Sequence, residues 1–86
     1  MGRANLHGKM DYAQVYKLLR KGLEGPELAI ELYGLSTKCN KTAFIMLGML
    51  RNSNDEETSN IAKSLIYAIA MSDNVLRQEA VCMLTS

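Results

Sequence analysis

Residues 43–50 read Ala-Phe-Ile-Met-Leu-Gly-Met-Leu and contain no polar side chain. On an α-helix, eight consecutive positions point in every direction, so this segment would be apolar on all sides. A buried β-strand is the alternative, because short apolar runs do not distinguish the two structures. The methionines and the glycine disfavour a strand, and the sequence offers no second strand-like run to pair with it. The segment therefore predicts a helix that needs cover on most of its surface.

Helical periodicity predicts two helices before this segment. The first is expected over 11–21, where Asp11 and Gln14 have the spacing of a capping box. Its apolar stripe consists of Tyr12, Val15, Tyr16, Leu18 and Leu19. The second is expected over 26–35, because proline after glycine favours the first turn of a helix.

Two more helices are predicted after the apolar segment. Asn54 is expected to cap the first of them, and the acidic run 55–57 suits a helix N-terminus. Ser72 or Asp73 is expected to cap the last one. Five short helices joined by short loops, in antiparallel hairpins, predict an all-α single domain over residues 11–86. Residues 1–10 lack any period and are expected to be a disordered tail or a vector-derived leader.

Composition narrows the function classes. The chain has 86 residues, one histidine (His7) and two cysteines (Cys39 and Cys82). Such a chain lacks the parts of most catalytic and metal sites, and we expect no enzymatic activity, no cofactor and no metal. The two thiols are expected to be buried or half-buried. No apolar run approaches the roughly 20 residues that a membrane span requires.

The apolar helices exceed what five short helices can enclose, which predicts exposed apolar residues in the isolated chain. The candidates are Ile45, Met46, Met49, Val75, Cys82 and Met83. Large exposed apolar patches mark interaction sites, and an amphipathic helix is the partner that fits an apolar groove. A homodimer that covers the patch and an ordinary tightly packed core are the alternatives.

A helix-turn-helix DNA-binding regulator is the alternative function. Residues 27–36 resemble the ELAxxLGLS stretch of many bacterial repressors, with one residue too many between Ala29 and Gly34. Residues 1–51 carry eight basic and four acidic side chains, and residues 52–86 carry two and five. In this interpretation, Lys38 and Lys41 would contribute to DNA affinity. The balance of +4 and −3 is an asymmetry, but it does not make a basic face, and binding to nucleic acid is not the favoured prediction.

Part of the chain also fits the tetratricopeptide helical hairpin. Phe44, Leu47 and Gly48 match the first helix of that pattern, and Ala62 with Ile66 matches the second. Arg51 stands where the pattern has tyrosine. The match predicts a helical hairpin with one concave side.

Residues 41–84 resemble the small tetratricopeptide-like chaperones of type III secretion needle subunits. The resemblance lies in the run KTAFIMLGMLRNSNDEETSNIAKSL and in the closing segment LRQEAVCML. It implies a bacterial cytoplasmic protein, connected with virulence, that holds the amphipathic C-terminal helix of a small secreted needle subunit and prevents premature polymerisation. It also implies a second small helical co-chaperone in the same complex. Carried over by position, the partner-binding groove would be formed by Tyr16, Ile45, Met49, Val75 and Cys82.

Overall fold

The computed structural model describes the backbone of residues 2–85 and the side chains of residues 10–85. Its elements are five α-helices: α1 (Gly2–Arg20), α2 (Gly25–Thr37), α3 (Lys41–Leu50), α4 (Glu56–Ala70) and α5 (Arg77–Thr85). No strand occurs among the described residues, so the predicted all-α class is confirmed. Within the same residues, none of the helices has both the length and the apolar character needed to cross a bilayer.

The five helices pack as successive hairpins. Each helix contacts the next one along the chain, and in addition α1 packs on α3 and α2 packs on α4. Because short loops join antiparallel neighbours, α1, α3 and α5 run in one direction and α2 and α4 in the other. Helix α3 therefore has α1 and α5 as neighbours in addition to α2 and α4. The likeness of the hairpins to a tetratricopeptide repeat stays a prediction.

Only one side of the apolar segment 43–50, which forms most of α3, belongs to the core. Phe44 and Leu47 are fully buried with Leu32 of α2 and with Ile66 and Ile69 of α4. Ile45 and Met49, which point the other way, are exposed. The helix is therefore covered on one side and open on the other.

Helix α1 begins at Gly2, so the predicted helix start at Asp11 is wrong. Residues 2–10, expected to be a disordered tail, continue the helix, and whether they are a vector-derived leader stays a prediction. Asp11 is buried inside α1, and its Oδ2 accepts a hydrogen bond of 3.2 Å from the backbone N–H of Lys41. The carboxylate predicted to cap α1 therefore contributes to the cap of α3.

Asn40 joins α1 to the N-terminus of α3. Its Oδ1 accepts a hydrogen bond of 2.9 Å from the backbone N–H of Ala43. Its Nδ2 donates to the backbone oxygen of Asp11 at 3.0 Å and to Oε1 of Gln14 at 2.9 Å. The side chain is almost fully buried. One residue thus caps a helix and satisfies polar atoms of another.

The predicted caps of the last two helices are also wrong by small shifts. Asp55 rather than Asn54 caps α4, because its Oδ2 accepts from the backbone N–H of Thr58. Helix α5 begins only at Arg77, after a turn in which Oδ1 of Asn74 accepts from the backbone N–H of Leu76. Several adjacent side chains could serve as caps, and the loop geometry selects among them.

Cys39 occupies a position that favours glycine. Helix α2 ends with Cys39 at φ = 68°, in the left-handed region. The backbone N–H of Cys39 donates to Ser36 and that of Asn40 donates to Leu35, which is the hydrogen-bond pattern of a Schellman motif. A side chain with a Cβ atom is strained in this conformation.

Replacing Cys39 with glycine should therefore stabilise the fold. We expect a gain of about 1 kcal/mol, which raises Tm by about 4–8 °C in a domain of this size. Cys39→Ala is the matched control, because it removes the thiol and keeps the Cβ atom. Thermal unfolding followed by circular dichroism checks the pair, and equal Tm values for the two variants would contradict the account.

Candidate functional site

A groove of about 580 Å³ lies between α3 and α5. Its lining residues are Lys41, Phe44, Ile45, Gln78, Glu79, Cys82 and Met83. The surface within it is almost entirely apolar, and the buried ring of Phe44 reaches it from the core. The groove is open and of a size that accepts apolar side chains. Two of the predicted binding residues, Ile45 and Cys82, therefore line the same groove.

An exposed apolar strip on α3 continues from this groove. Ile45 is 53% exposed and Met49 is 65% exposed. They are four positions apart in the sequence, so they lie one above the other on the same face of the helix. Met49 does not line the groove itself. Met46, which was expected to be exposed with them, is only half-buried and packs against the core.

Helix α1 carries a second apolar strip. Val15 and Leu18 of the predicted stripe are buried, whereas Tyr12, Tyr16 and Leu19 are exposed. The rings of Tyr12 and Tyr16 are stacked with centroids 6.3 Å apart. The guanidinium of Arg20 lies 5.8 Å from the centre of the Tyr16 ring. The predicted stripe is thus divided between the core and the surface.

The exposed strip of α1 lies on the side of the helix turned away from the cleft with α2. The side of α1 that bears Gln14, Lys17 and Lys21 faces α2, where these residues line a second cleft. With 100° of rotation per residue, Tyr12, Tyr16 and Leu19 lie on the opposite side of the buried line from these residues. On α3, Ile45 lines the α3–α5 groove and Met49 does not. We call the combined surface the apolar face; its residues are Tyr12, Tyr16, Leu19, Ile45, Met49 and Cys82.

Two sequence predictions about this region do not match the structure. Val75 is 70% exposed but lies in the turn before α5, and it is not among the residues that line the groove. Cys39 and Cys82, predicted to be buried or half-buried, are both exposed. Cys39 follows the end of α2 in a turn, and Cys82 lies on the groove side of α5.

Helix α5 touches α3 closely at one point. A Cβ atom added to Gly48 would lie 2.7 Å from Sδ and 2.8 Å from Cε of Met83. The Arg51 guanidinium donates a hydrogen bond to the backbone oxygen of Met83, which fixes the chain on the other side of this contact. Arg51, the departure from the tetratricopeptide pattern, therefore has a structural role in holding α5.

Sequence analysis missed part of the groove. Lys41, Gln78 and Glu79 at its mouth were not named as site residues, nor was Phe44 at its base. The signal was present for α5, since Gln78 and Glu79 precede Cys82 by four and three residues and so share its face. No sequence signal shows that Phe44 is accessible from the surface, because its ring is otherwise a core side chain.

The second cleft, of about 430 Å³, lies between α1 and α2 and bears three lysines, Lys17, Lys21 and Lys38. Glu31 lies among them. Lys41, predicted with Lys38 to bind DNA, lines the α3–α5 groove instead. The two lysines therefore do not lie in one cleft.

Among the residues that the structure describes, no three His, Cys, Asp or Glu side chains are placed to hold a metal ion. The arrangement of the apolar face is suited to non-covalent contact with another apolar surface.

A comparison of the chain with protein-family models finds no match, and comparisons with curated proteins and with solved structures find none either.

Proposed function

We propose that the chain is a small chaperone whose apolar face holds an amphipathic helix of a partner protein. The observation that carries the proposal is the exposed pair Ile45 and Met49 on α3, of which Ile45 lines the apolar α3–α5 groove. The partner we propose is the C-terminal helix of a type III secretion needle subunit, on the basis of the sequence resemblance. Covering that helix in the bacterial cytoplasm keeps the subunit from polymerising before export.

The dimensions of the apolar face suit one short helix. Helix α3 has ten residues and is about 15 Å long at 1.5 Å per residue. Anchors at positions i, i+4 and i+7 of a bound helix span about 10 Å, so they fit along it. Lys41 and Glu79 at the mouth of the groove offer one charge of each sign to the polar flanks of the ligand.

The energetics of burial are adequate for specific binding. Each well-buried anchor contributes about 1.5–3 kcal/mol. Three or four anchors contribute about 4.5–12 kcal/mol in total, which is set against the cost of association and of ordering a flexible ligand. Methionine suits such a surface because its unbranched side chain adapts to the incoming residue.

The complex we propose includes a second small helical co-chaperone, as the resemblance implies. Tyr67 near the end of α4 and Met71, which follows the last residue of α4, form another exposed apolar pair outside the apolar face. This pair is the surface we assign to the co-chaperone, which leaves the apolar face to the needle subunit.

The DNA-binding alternative is less well supported. Base recognition relies mainly on hydrogen-bonding side chains in the groove. Helix α3, which would read the bases, exposes Ile45 and Met49 instead. The separation of Lys38 and Lys41 into two clefts also weakens this alternative.

Fluorescence anisotropy with a labelled peptide tests the proposal. The peptide is the C-terminal helix of a needle subunit, and the control peptide has the same composition with its apolar stripe scrambled. We expect saturable one-to-one binding of the first peptide only, and no salt-dependent binding of a DNA duplex. Equal binding of both peptides contradicts the proposal, and so does a homodimer in sedimentation equilibrium that Ile45→Asp dissociates.

A further inference from the structure

The Met83 side chain lies where it can control the α3–α5 groove. It lines the groove, and its Sδ and Cε atoms lie over Gly48, in the space that a Cβ atom at position 48 would take. Glycine at this position lets the thioether rest against the α3 backbone. Any larger residue must displace it.

A displaced Met83 side chain can move into the groove without disturbing the buried core. The backbone of Met83 is held by the hydrogen bond from the Arg51 guanidinium to its carbonyl oxygen. The core beneath is filled by Phe44 and Leu47, which are fully buried. Because the backbone is anchored and the core is closed, the flexible thioether would swing into the groove.

We infer that Met83, resting on Gly48, determines the depth of the groove and hence the size of the anchor side chain that the partner helix can insert there. This inference rests on the proposed function and assigns a specificity-determining residue to it. The occupant is a large apolar side chain of the bound helix, received between Ile45 and Cys82. A partner with a small residue at that position would leave the groove unfilled.

Single and double variants test the inference with two ligands. The first ligand is the needle-subunit peptide, and the second is the apolar anionic dye 8-anilinonaphthalene-1-sulfonate, whose sulfonate Lys41 can pair at the mouth of the groove. Gly48→Ala should weaken both about five- to tenfold, because the thioether then occupies the groove. Adding Met83→Ala to Gly48→Ala should restore the binding of both ligands.

Gly34→Ala is the matched control. Gly34 also lies inside a helix, and a Cβ atom added there meets nothing within 4 Å. Gly34→Ala should leave the affinity for both ligands unchanged, while it raises helix propensity as Gly48→Ala does. If the peptide binds, and Gly48→Ala binds it as tightly as Gly34→Ala does, the inference is wrong and the proposed function is unaffected. Dye binding is predicted to weaken in Gly48→Ala and to recover in the double variant with Met83→Ala. If the dye behaves in this way but the peptide does not bind the unaltered chain, the proposed function fails and the role of Met83 stands.

Discussion

Replacing Ile45 with aspartate should weaken binding of the needle-type helix by about 100-fold, or about 2.7 kcal/mol. The substitution removes an apolar contact and places a carboxylate, without a partner, in an apolar interface. Met49→Asp should act in the same direction, since Met49 lies one turn further along the same strip. Both residues are exposed, so we expect the variants to keep their helicity in circular dichroism. Anisotropy titration with the labelled peptide measures the loss.

The chain offers matched controls for both substitutions. Ile30 on α2 is 54% exposed, against 53% for Ile45, and Met71 at the C-terminal cap of α4 is 70% exposed, against 65% for Met49. Ile30→Asp and Met71→Asp therefore make the same chemical change, from an apolar side chain to a carboxylate, outside the apolar face. They should bind the peptide as the unaltered chain does. A uniform loss in all four variants would show that the effect is not specific to the apolar face.

Replacing Asn40 with alanine should produce a large loss of stability. The variant loses the cap of α3, which is worth about 1 kcal/mol. It also removes the hydrogen bond from Asn40 to the buried backbone oxygen of Asp11, at a further cost of about 0.5–1.5 kcal/mol. We expect a total of about 1.5–2.5 kcal/mol, which lowers Tm by about 6–20 °C. Urea denaturation with a global two-state fit measures the change.

Asn54→Ala is the control for that experiment. Asn54 is exposed, and Asp55 next to it caps α4. Removing the Asn54 side chain should change the free energy of unfolding by less than about 0.5 kcal/mol. A loss at Asn40 no larger than that at Asn54 would contradict the connecting role that the structure gives Asn40.

The secondary structure was largely predictable because its signals are local. The unbroken apolar run of 43–50 and the Gly25-Pro26 restart depend only on near neighbours in the chain. The start of α1 was not predictable in the same way. Asp11 has the chemistry of a cap, but its carboxylate reaches Lys41, thirty residues away, and only the tertiary fold determines that contact.

The apolar face was predictable in part for a similar reason. The excess of apolar helix surface indicates that some residues stay exposed, and Ile45 and Met49 are among them. The exposure of Tyr12 and Tyr16 depends on which side of α1 meets α3, which the sequence does not specify. Val75 was assigned to the groove by position, from the family resemblance, as part of the last helix, but that helix begins two residues later, at Arg77.

Methyl NMR of the protein labelled with ¹³C at the methionine methyl groups tests the central claim most directly. The chain has six methionines, and single substitutions to leucine assign their signals. On titration with the needle-type helix, the signals of Met49 and Met83 should shift in proportion to binding, while that of Met71 stays in place. Shifts centred on Met71, with Met49 and Met83 unchanged, would place the ligand on α4 and contradict the assignment of the apolar face.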